Sequence, residues 1–187
     1  MAQGVSVNVE RHACATPNKA ARAPKRNLSL NIRSLTPADR DWVARHIAEH
    51  WGAEVVVAHG TLYRPAELPG FVAELDGKPA GLITHHLASD ACEIVTLDSL
   101  IEGHGIGTAL IKAVKTAATA AGCRRLWLIT TNDNLHALGF YQRRGFRLVA
   151  VHSGAVDAAR WLKPEIPLIG NDGIPIRDEI ELEIILT

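Results

Sequence analysis

The chain has 187 residues, 47% of them hydrophobic, which is enough apolar material for one sizeable core and predicts a single folded domain. The formal net charge is zero, but residues 1–28 carry Arg11, Lys19, Arg22, Lys25 and Arg26 against Glu10 alone, so the rest is mildly acidic. An acidic body argues against an extended nucleic-acid surface, and no apolar run reaches membrane-span length or makes a secretion leader, so the expectation is no nucleic acid, no membrane and a cytoplasmic location.

Residues 1–28 mix Ala, Pro, Asn, Lys and Arg without apolar periodicity and read as a flexible basic extension, which leaves 29–187 as the domain. No aromatic is interleaved for base stacking, so a nucleic-acid arm is the weaker reading. Leu30, Ile32 and Leu35 then predict a strand. Thr36-Pro37-Ala38-Asp39 opens a helix to about His50, with Thr36 as cap, Pro37 in the first turn and Val43, Ile47 and Trp51 facing inward. That helix contains His46-Ile47-Ala48-Glu49-His50, an H-x-x-E-H match to an inverted zinc-peptidase motif. In a chain with nine histidines a local match is cheap, and no acidic ligand in a helical context follows it. Metal is therefore expected to be absent, and polar surface on the helix flank is the plainer reading.

A strand at 55–58 leads into a turn-rich piece that runs through Pro69. Asp76-Gly77 between 71–75 and 79–86 is a strong hairpin signal, and 91–100 forms the next strand. Helix spacing at Leu110, Ile111, Val114 and Ala118 predicts a helix from Gly107 to Ala121, closed by Gly122. A strand at 125–131, a short helix at 135–144 and strands at 147–152 and 179–186 complete the pattern. The Pro/Gly-punctuated connection before the last strand holds one helix around 156–162, and its length suggests function or mobility. Cys14, Cys92 and Cys123 show neither metal nor disulfide spacing, and Cys92 and Cys123 read as core filling.

The stretch on which the chain turns is Val95–Leu110, an apolar run, then Gly103, Gly105 and Gly107, then a helix. Glycines let the backbone approach a ligand, and the helix directs free N–H groups and its positive dipole end at the turn, so an anion is the expected guest. A dinucleotide fingerprint fails, because Thr108 or Leu110 stands where its last glycine belongs, and no Gly-Lys-Ser/Thr exists for a P-loop. Glu102-Gly103-His104-Gly105-Ile106-Gly107-Thr108 resembles the pyrophosphate loop of the Gcn5-related N-acetyltransferases, the GNAT family, with Glu102 in place of the usual Gln or Arg. A carboxylate there repels pyrophosphate unless it turns outward, and a protonated His104 would partly compensate. Asn134-Leu135-His136-Ala137-Leu138-Gly139-Phe140-Tyr141-Gln142-Arg143-Arg144-Gly145-Phe146 resembles the family's N-x-x-A-x-x-F-Y-x-x-x-G-F segment, in the right order behind the loop.

The resemblance covers about residues 30–187. It implies an α/β (α+β) fold with a mixed, mostly antiparallel seven-stranded sheet, splayed between its fourth and fifth strands and flanked by about four helices. Acetyl-coenzyme A as co-substrate would lie in the splay: Leu97 and Ser99 offering backbone to the pantetheine arm, Gly103, His104, Gly105, Ile106, Gly107 and Thr108 holding the pyrophosphate, and Asn134 bonding the pantetheine. Tyr141 matches a tyrosine often found beside the cofactor sulfur, with core packing as its plainer role.

An alkyl ammonium with pKa ~10.4 is only about 0.1% neutral near pH 7.4, so attack on a thioester needs a base. Glu93 resembles the glutamate used by histone-modifying members of the family; strand alternation places it on one face with Val95 and Leu97, and a solvated strand residue is the competing reading. Tyr141 would protonate the departing thiolate, and an N–H near Leu97 would bind the oxyanion. Cys92 and Cys123 lack a readable His and acid partner, which disfavours a covalent intermediate. The acceptor is an amine of open identity, with Trp51, Tyr63, Arg64, His86, Trp161 and Arg177 as cleft candidates; the protein is a monomer or homodimer. The alternative, favoured by Glu102, is a non-catalytic acyl-coenzyme A sensor.

Overall fold

The computed structural model describes residues 29–187. The basic segment 1–28, with Cys14, lies outside the described residues, and the expectation of a flexible extension lies there with it. The described elements run β1 (Leu30–Ser34), α1 (Arg40–Trp51), β2 (Val56–Ala58), β3 (Thr61–Tyr63), β4 (Gly70–Leu75), β5 (Lys78–Ala88), β6 (Ala91–Ser99), α2 (Ile106–Ala120), β7 (Arg125–Thr131), α3 (Leu135–Gln142), β8 (Arg147–His152), α4 (Ala155–Leu162) and β9 (Glu179–Ile185). Seven strands form one sheet in the order β1-β4-β5-β6-β7-β9-β8, antiparallel throughout except for β6 against β7. This is the mixed sheet expected from the resemblance.

The hairpin at Asp76-Gly77 forms as its sequence predicts, with φ of 50° and 76°. A second hairpin, β2–β3, was not predicted, because its turn is His59-Gly60 rather than Asn-Gly. The structure nevertheless holds both residues at positive φ, 37° and 77°. Pro37–Asp39 makes a short 3-10 turn before α1, where the Asp39 carboxylate accepts the Thr36 N–H at 2.8 Å.

Two features of β6 build the site. Its pairing with β7 covers only Ala91–Ile94 against Arg125–Leu128, after which the two parallel strands part. This is the opening between the fourth and fifth strands of the sheet. At the same point Thr84 faces Thr96 while His85 faces Ile94, so Val95 is an extra residue in a β-bulge. The bulge overturns the expected alternation. Glu93, Thr96 and Asp98 share a face with His86, Thr84 and Leu82, whereas Leu97 and Ser99 go to the other face with Ile83 and Gly81.

The two helices nearest β6 take opposite faces. A Cβ on Gly81 would lie 2.5 Å from Ile106 and 3.2 Å from Leu110, so α2 sits directly on that side. On the other side α1 delivers His46 and Trp51 to Asp98. Burial of Ile106, Leu110, Ile111 and Val114 holds α2 in place. At about 1.5–3 kcal/mol per aliphatic side chain, this outweighs the ~1 kcal/mol that a helical glycine such as Gly107 costs.

The long connection between β8 and β9 is tied down rather than loose. Asp133 accepts the Asn171 N–H and side-chain amide at 2.9 and 2.8 Å, and Arg160 donates to the carbonyls of Ile166, Pro167 and Ile176. Val156, Ala159, Ile166 and Ile176 pack with Val57 of β2 into a separate small core.

Candidate active site

The glycine loop ends in a helix start stripped of obstruction. Gly103 and Gly105 have φ of 74° and 72°, and a Cβ on either would meet nothing within 4 Å. Gly105 is the N-cap of α2, and the first bond back into the helix runs from the Ala109 N–H to the Gly105 carbonyl. The N–H groups of Ile106, Gly107 and Thr108 therefore point out of the helix end. Gly107 acts through packing instead, since a Cβ there would stand 2.8 Å from Phe140 Cζ, and its absence lets α2 and α3 meet.

A cleft of about 320 Å³ opens at this helix end, lined by the glycine loop together with Ser99, Ile101, His136, Phe140 and Arg144. Arg144 is the residue that the sequence reading missed. Its Nε and Nη2 donate to Thr108 Oγ1 at 2.9 and 2.8 Å, Nη1 donates to the Phe140 carbonyl at 2.8 Å, and Cζ lies 3.5 Å from the Phe140 ring centroid. A fixed guanidinium thus lines the same cleft as the glycine loop and Glu102, which is exposed. His104 donates Nδ1–H to the Glu102 carbonyl at 2.7 Å, which bends the loop.

Tyr141 is completely buried and its hydroxyl has no partner among the described residues. Burial raises its pKa well above the ordinary tyrosine value. Leu97 is buried at 1% exposure, and Ser99, on the cleft wall, turns its hydroxyl to the Ile101 carbonyl at 3.3 Å. Asn134 uses its side-chain oxygen to accept the Ala137 N–H at 3.1 Å as the N-cap of α3.

Glu93 sits at the other end of the opening, 3% exposed, which removes the solvated-residue reading. Its Oε2 accepts the Tyr63 hydroxyl at 2.7 Å and faces His59 Nε2 at 3.2 Å, while Oε1 is buried without a partner among the described residues. Burial and the bond to Glu93 both push the Tyr63 hydroxyl above its ordinary pKa. The bond to Glu93 raises His59. Glu179, buried on β9, accepts the His59 backbone N–H and is raised by burial.

The cleft candidates divide. Tyr63 and His86 converge, with ring centroids 5.6 Å apart, on the face of Glu93. Trp51 instead belongs to the core, at 0% exposure with Nε1 donating to Asp98 at 3.0 Å. Trp161 is 89% exposed, and Arg64 and Arg177 are exposed as well. His46 is buried rather than on a polar flank. Its Nε2 meets Asp98 Oδ2 at 3.1 Å, and His50 Nδ1 bonds back to the His46 carbonyl, so the H-x-x-E-H histidines serve the packing of α1 on β6. Cys92 and Cys123 are buried, and burial pushes the Cys92 thiol up to about 12, far from nucleophilic.

Residues 34–146 match the sequence model of the Acetyltransferase (GNAT) family. The chain belongs to this family and is an acetyltransferase. It is 44% identical over 154 residues to the uncharacterized protein YxbD of Bacillus subtilis, covering 82% of this chain and 97% of that protein. In fold it is similar to an IAA acetyltransferase from Bacillus cereus, with TM-score 0.61, 21% identity and coverage of 84% of this chain and 100% of that one. It is similar also to a Bacillus subtilis acetyltransferase crystallised in complex with CoA, with TM-score 0.59, 19% identity and coverage of 86% and 100%. Among the described residues no helix is long and apolar enough to cross a membrane.

Proposed function

We propose that the protein transfers an acetyl group from acetyl-coenzyme A to a primary amine by direct attack. The observation that carries this reading is the parting of β6 from β7 beyond Ile94 and Leu128, which leads to the open N-terminus of α2 beside Arg144. A slot with an anion cradle at its end suits a pantetheine thioester with its pyrophosphate. The structure of a Bacillus subtilis acetyltransferase with CoA supports the choice of ligand.

The residues divide the work. The loop from Gly103 to Thr108, with its helix-end N–H groups and Arg144, takes the pyrophosphate. Leu97 and Ser99 lend backbone to the pantetheine, and Asn134 orders the start of α3 on the far wall. Glu93 accepts a proton from the acceptor ammonium at Oε1, which leaves nitrogen its lone pair for the thioester carbon. A backbone N–H near Leu97 takes the oxyanion, the Tyr141 hydroxyl protonates the thiolate as the C–S bond breaks, and the second proton lost by the attacking nitrogen restores the Tyr141 hydroxyl. Side chains and backbone carry every step, and no metal is invoked.

Coenzyme A release from acetyl-coenzyme A, measured over a panel of small primary amines, polyamines and lysine peptides, tests the reading. Turnover with an amine, lost in Glu93→Gln, is the expected result. Tight acetyl-coenzyme A binding with no turnover on any amine would instead favour an acyl-coenzyme A sensor.

A further inference from the structure

His59 occupies the first position of the β2–β3 turn with φ 37°, one of the non-glycine residues held at positive φ among the described residues. The others, Asp76, Ser89 and Asp172, are short polar side chains of the kind that tolerate such turns. Histidine tolerates positive φ as Asp does, but Asn before Gly is the preferred turn pair. The surroundings supply the reason for a ring. The His59 N–H lies 3.2 and 3.1 Å from the two oxygens of Glu179, which pins the turn to β9. The ring centroid is 5.1 Å from that of Trp127 on β7, and Nε2 ends 3.2 Å from Glu93 Oε2.

Tyr63, at the end of the same hairpin, places its hydroxyl 2.7 Å from the same oxygen. Both donors of the hairpin thus converge on Oε2, and Oε1 is left buried and without a partner among the described residues. An isolated carboxylate would rotate and share its oxygens between donors. This one is clamped.

We propose that His59 is a positioning residue that, with Tyr63, clamps Glu93 through Oε2 so that Oε1 receives the acceptor's proton, and that the charge on His59 sets the acid limit of turnover. The proposal rests on Glu93 being the base. In its neutral form, with the proton on Nε2, His59 donates to Oε2 and leaves the carboxylate able to take a proton at Oε1. As imidazolium it puts a positive charge beside the carboxylate, which opposes the approach of a second positive charge, the acceptor ammonium. Turnover then falls on the acid side as His59 charges.

The groups around the ring support this. Glu93 of β6 and Glu179 of β9 face it and favour the imidazolium, while burial opposes. Trp127 of β7 lies against the ring and carries Arg125 at 5.0 Å from its own centroid, and His152 of β8 acts on Glu179. Tyr63 of β3 stays neutral in the working range, because its hydroxyl is pushed upward. The His59 side chain is 34% exposed, so its protonation follows the bulk pH.

The test uses the full chain. In 15N-histidine NMR titration, assigned with His59→Asn, His59 should titrate above the ordinary ~6.5 and carry its neutral-form proton on Nε2. In Glu93→Gln its pKa should fall by about one unit, a tenfold change in proton affinity. His59→Asn should keep or raise the melting temperature, because Asn suits the turn. With the amine giving most coenzyme A release in the panel, it should lower kcat by about tenfold at its optimum while KM for acetyl-coenzyme A holds. His59→Gln, which keeps an uncharged N–H donor, should recover part of that kcat and shift the acidic limb downward by about one unit. An ordinary His59 pKa that ignores Glu93→Gln, or an acidic limb in His59→Gln coincident with wild type, overturns the proposal. Full turnover in Glu93→Gln would sink the base assignment itself, and the NMR coupling of the two side chains distinguishes that failure from this one.

Discussion

Arg144 is locked onto Thr108 by two hydrogen bonds, Nε and Nη2 to Oγ1 at 2.9 and 2.8 Å, although the two residues stand 36 positions apart. This places a permanent cation over the first turn of α2, where the loop's own leading residue, Glu102, has the wrong sign. Partial burial lowers the Arg144 pKa, but a guanidinium starting above ~12 remains charged at neutral pH. Arg144→Gln should remove charged hydrogen bonds worth about 1.5–3 kcal/mol, a roughly 10- to 150-fold loss of acetyl-coenzyme A affinity by calorimetry. A pantetheine thioester without the nucleotide should bind both proteins alike. Wild-type affinity for the whole ligand in folded Arg144→Gln would remove Arg144 from the cradle.

Gly105 and Gly107 lie two residues apart and should fail for different reasons. Gly105→Ala adds a methyl that meets nothing within 4 Å, so its cost in the free protein is the ~1–2 kcal/mol of holding φ 72°. Its larger effect should be on ligand affinity, because in the proposed complex the methyl stands where phosphate oxygens approach. Gly107→Ala gains up to ~1 kcal/mol of helix propensity but drives Cβ to 2.8 Å from Phe140 Cζ, an overpacking worth about 1–3 kcal/mol. It should lower the melting temperature by up to ~8 °C, and Phe140→Leu should relieve it. Additive effects of Gly107→Ala and Phe140→Leu would show that the contact is not the cause.

What the sequence disclosed and what it hid follow from the kind of information each feature needs. The Asp76-Gly77 hairpin, the amphipathic α2 and the glycine cradle are local, carried by residue type and spacing. The bulge at Val95 is not, because every residue from Cys92 to Asp98 is buried and the strand offers no alternation from which a slipped register would show. Arg144 was in plain view inside the F-Y-Q-R-R-G-F segment. Its role depends on α3 ending beside the start of α2, and a cation four residues beyond Phe140 at a helix end was the only hint. Likewise the sequence puts His46 on a polar helix flank, and only Asp98, 52 residues away, shows that it is buried against β6.

The entry to α1 should make the fold sensitive to acid. Arg33 Nη1 and Nη2 donate to the two oxygens of Asp39 at 2.9 Å each, and Nε donates to Glu74 at 2.7 Å. The Arg33 guanidinium, aided by the Thr36 N–H and hydroxyl, holds the Asp39 carboxyl well below the usual range. A carboxyl depressed in the folded state contributes stability above its unfolded pKa of ~3.9 and loses it as pH falls toward the folded value. The melting temperature of wild type should therefore exceed that of Asp39→Asn at pH 7, and the gap should narrow below about pH 4. Since Arg33 is 37% exposed, high salt should shrink the gap as well. A gap constant from pH 7 down to about 2.5 would assign the effect to packing rather than to charge.

Tyr141 offers the sharpest separation of chemistry from stability. Its hydroxyl is fully buried and has no partner among the described residues, so Tyr141→Phe breaks no hydrogen bond in the free protein and relieves an unsatisfied polar group. The melting temperature of Tyr141→Phe should hold or rise. The edge-on contacts of the ring with Phe140 and Phe146, each at 5.3 Å between centroids, survive the change. Catalysis should respond in the opposite direction. Burial keeps the hydroxyl protonated across the working range, so in the proposed reaction it serves as donor to the developing thiolate and not as base. The coenzyme A thiol, with pKa near ~8.5, is already a fair leaving group, which places the loss in kcat at about 10- to 100-fold, the low end of general acid catalysis. Acetyl-coenzyme A affinity should stay within a few fold, because the interaction strengthens only as negative charge builds on sulfur. Unchanged kcat in Tyr141→Phe, with chemistry shown to be rate-limiting by single-turnover measurement, would return Tyr141 to a packing role and leave its buried hydroxyl without a function.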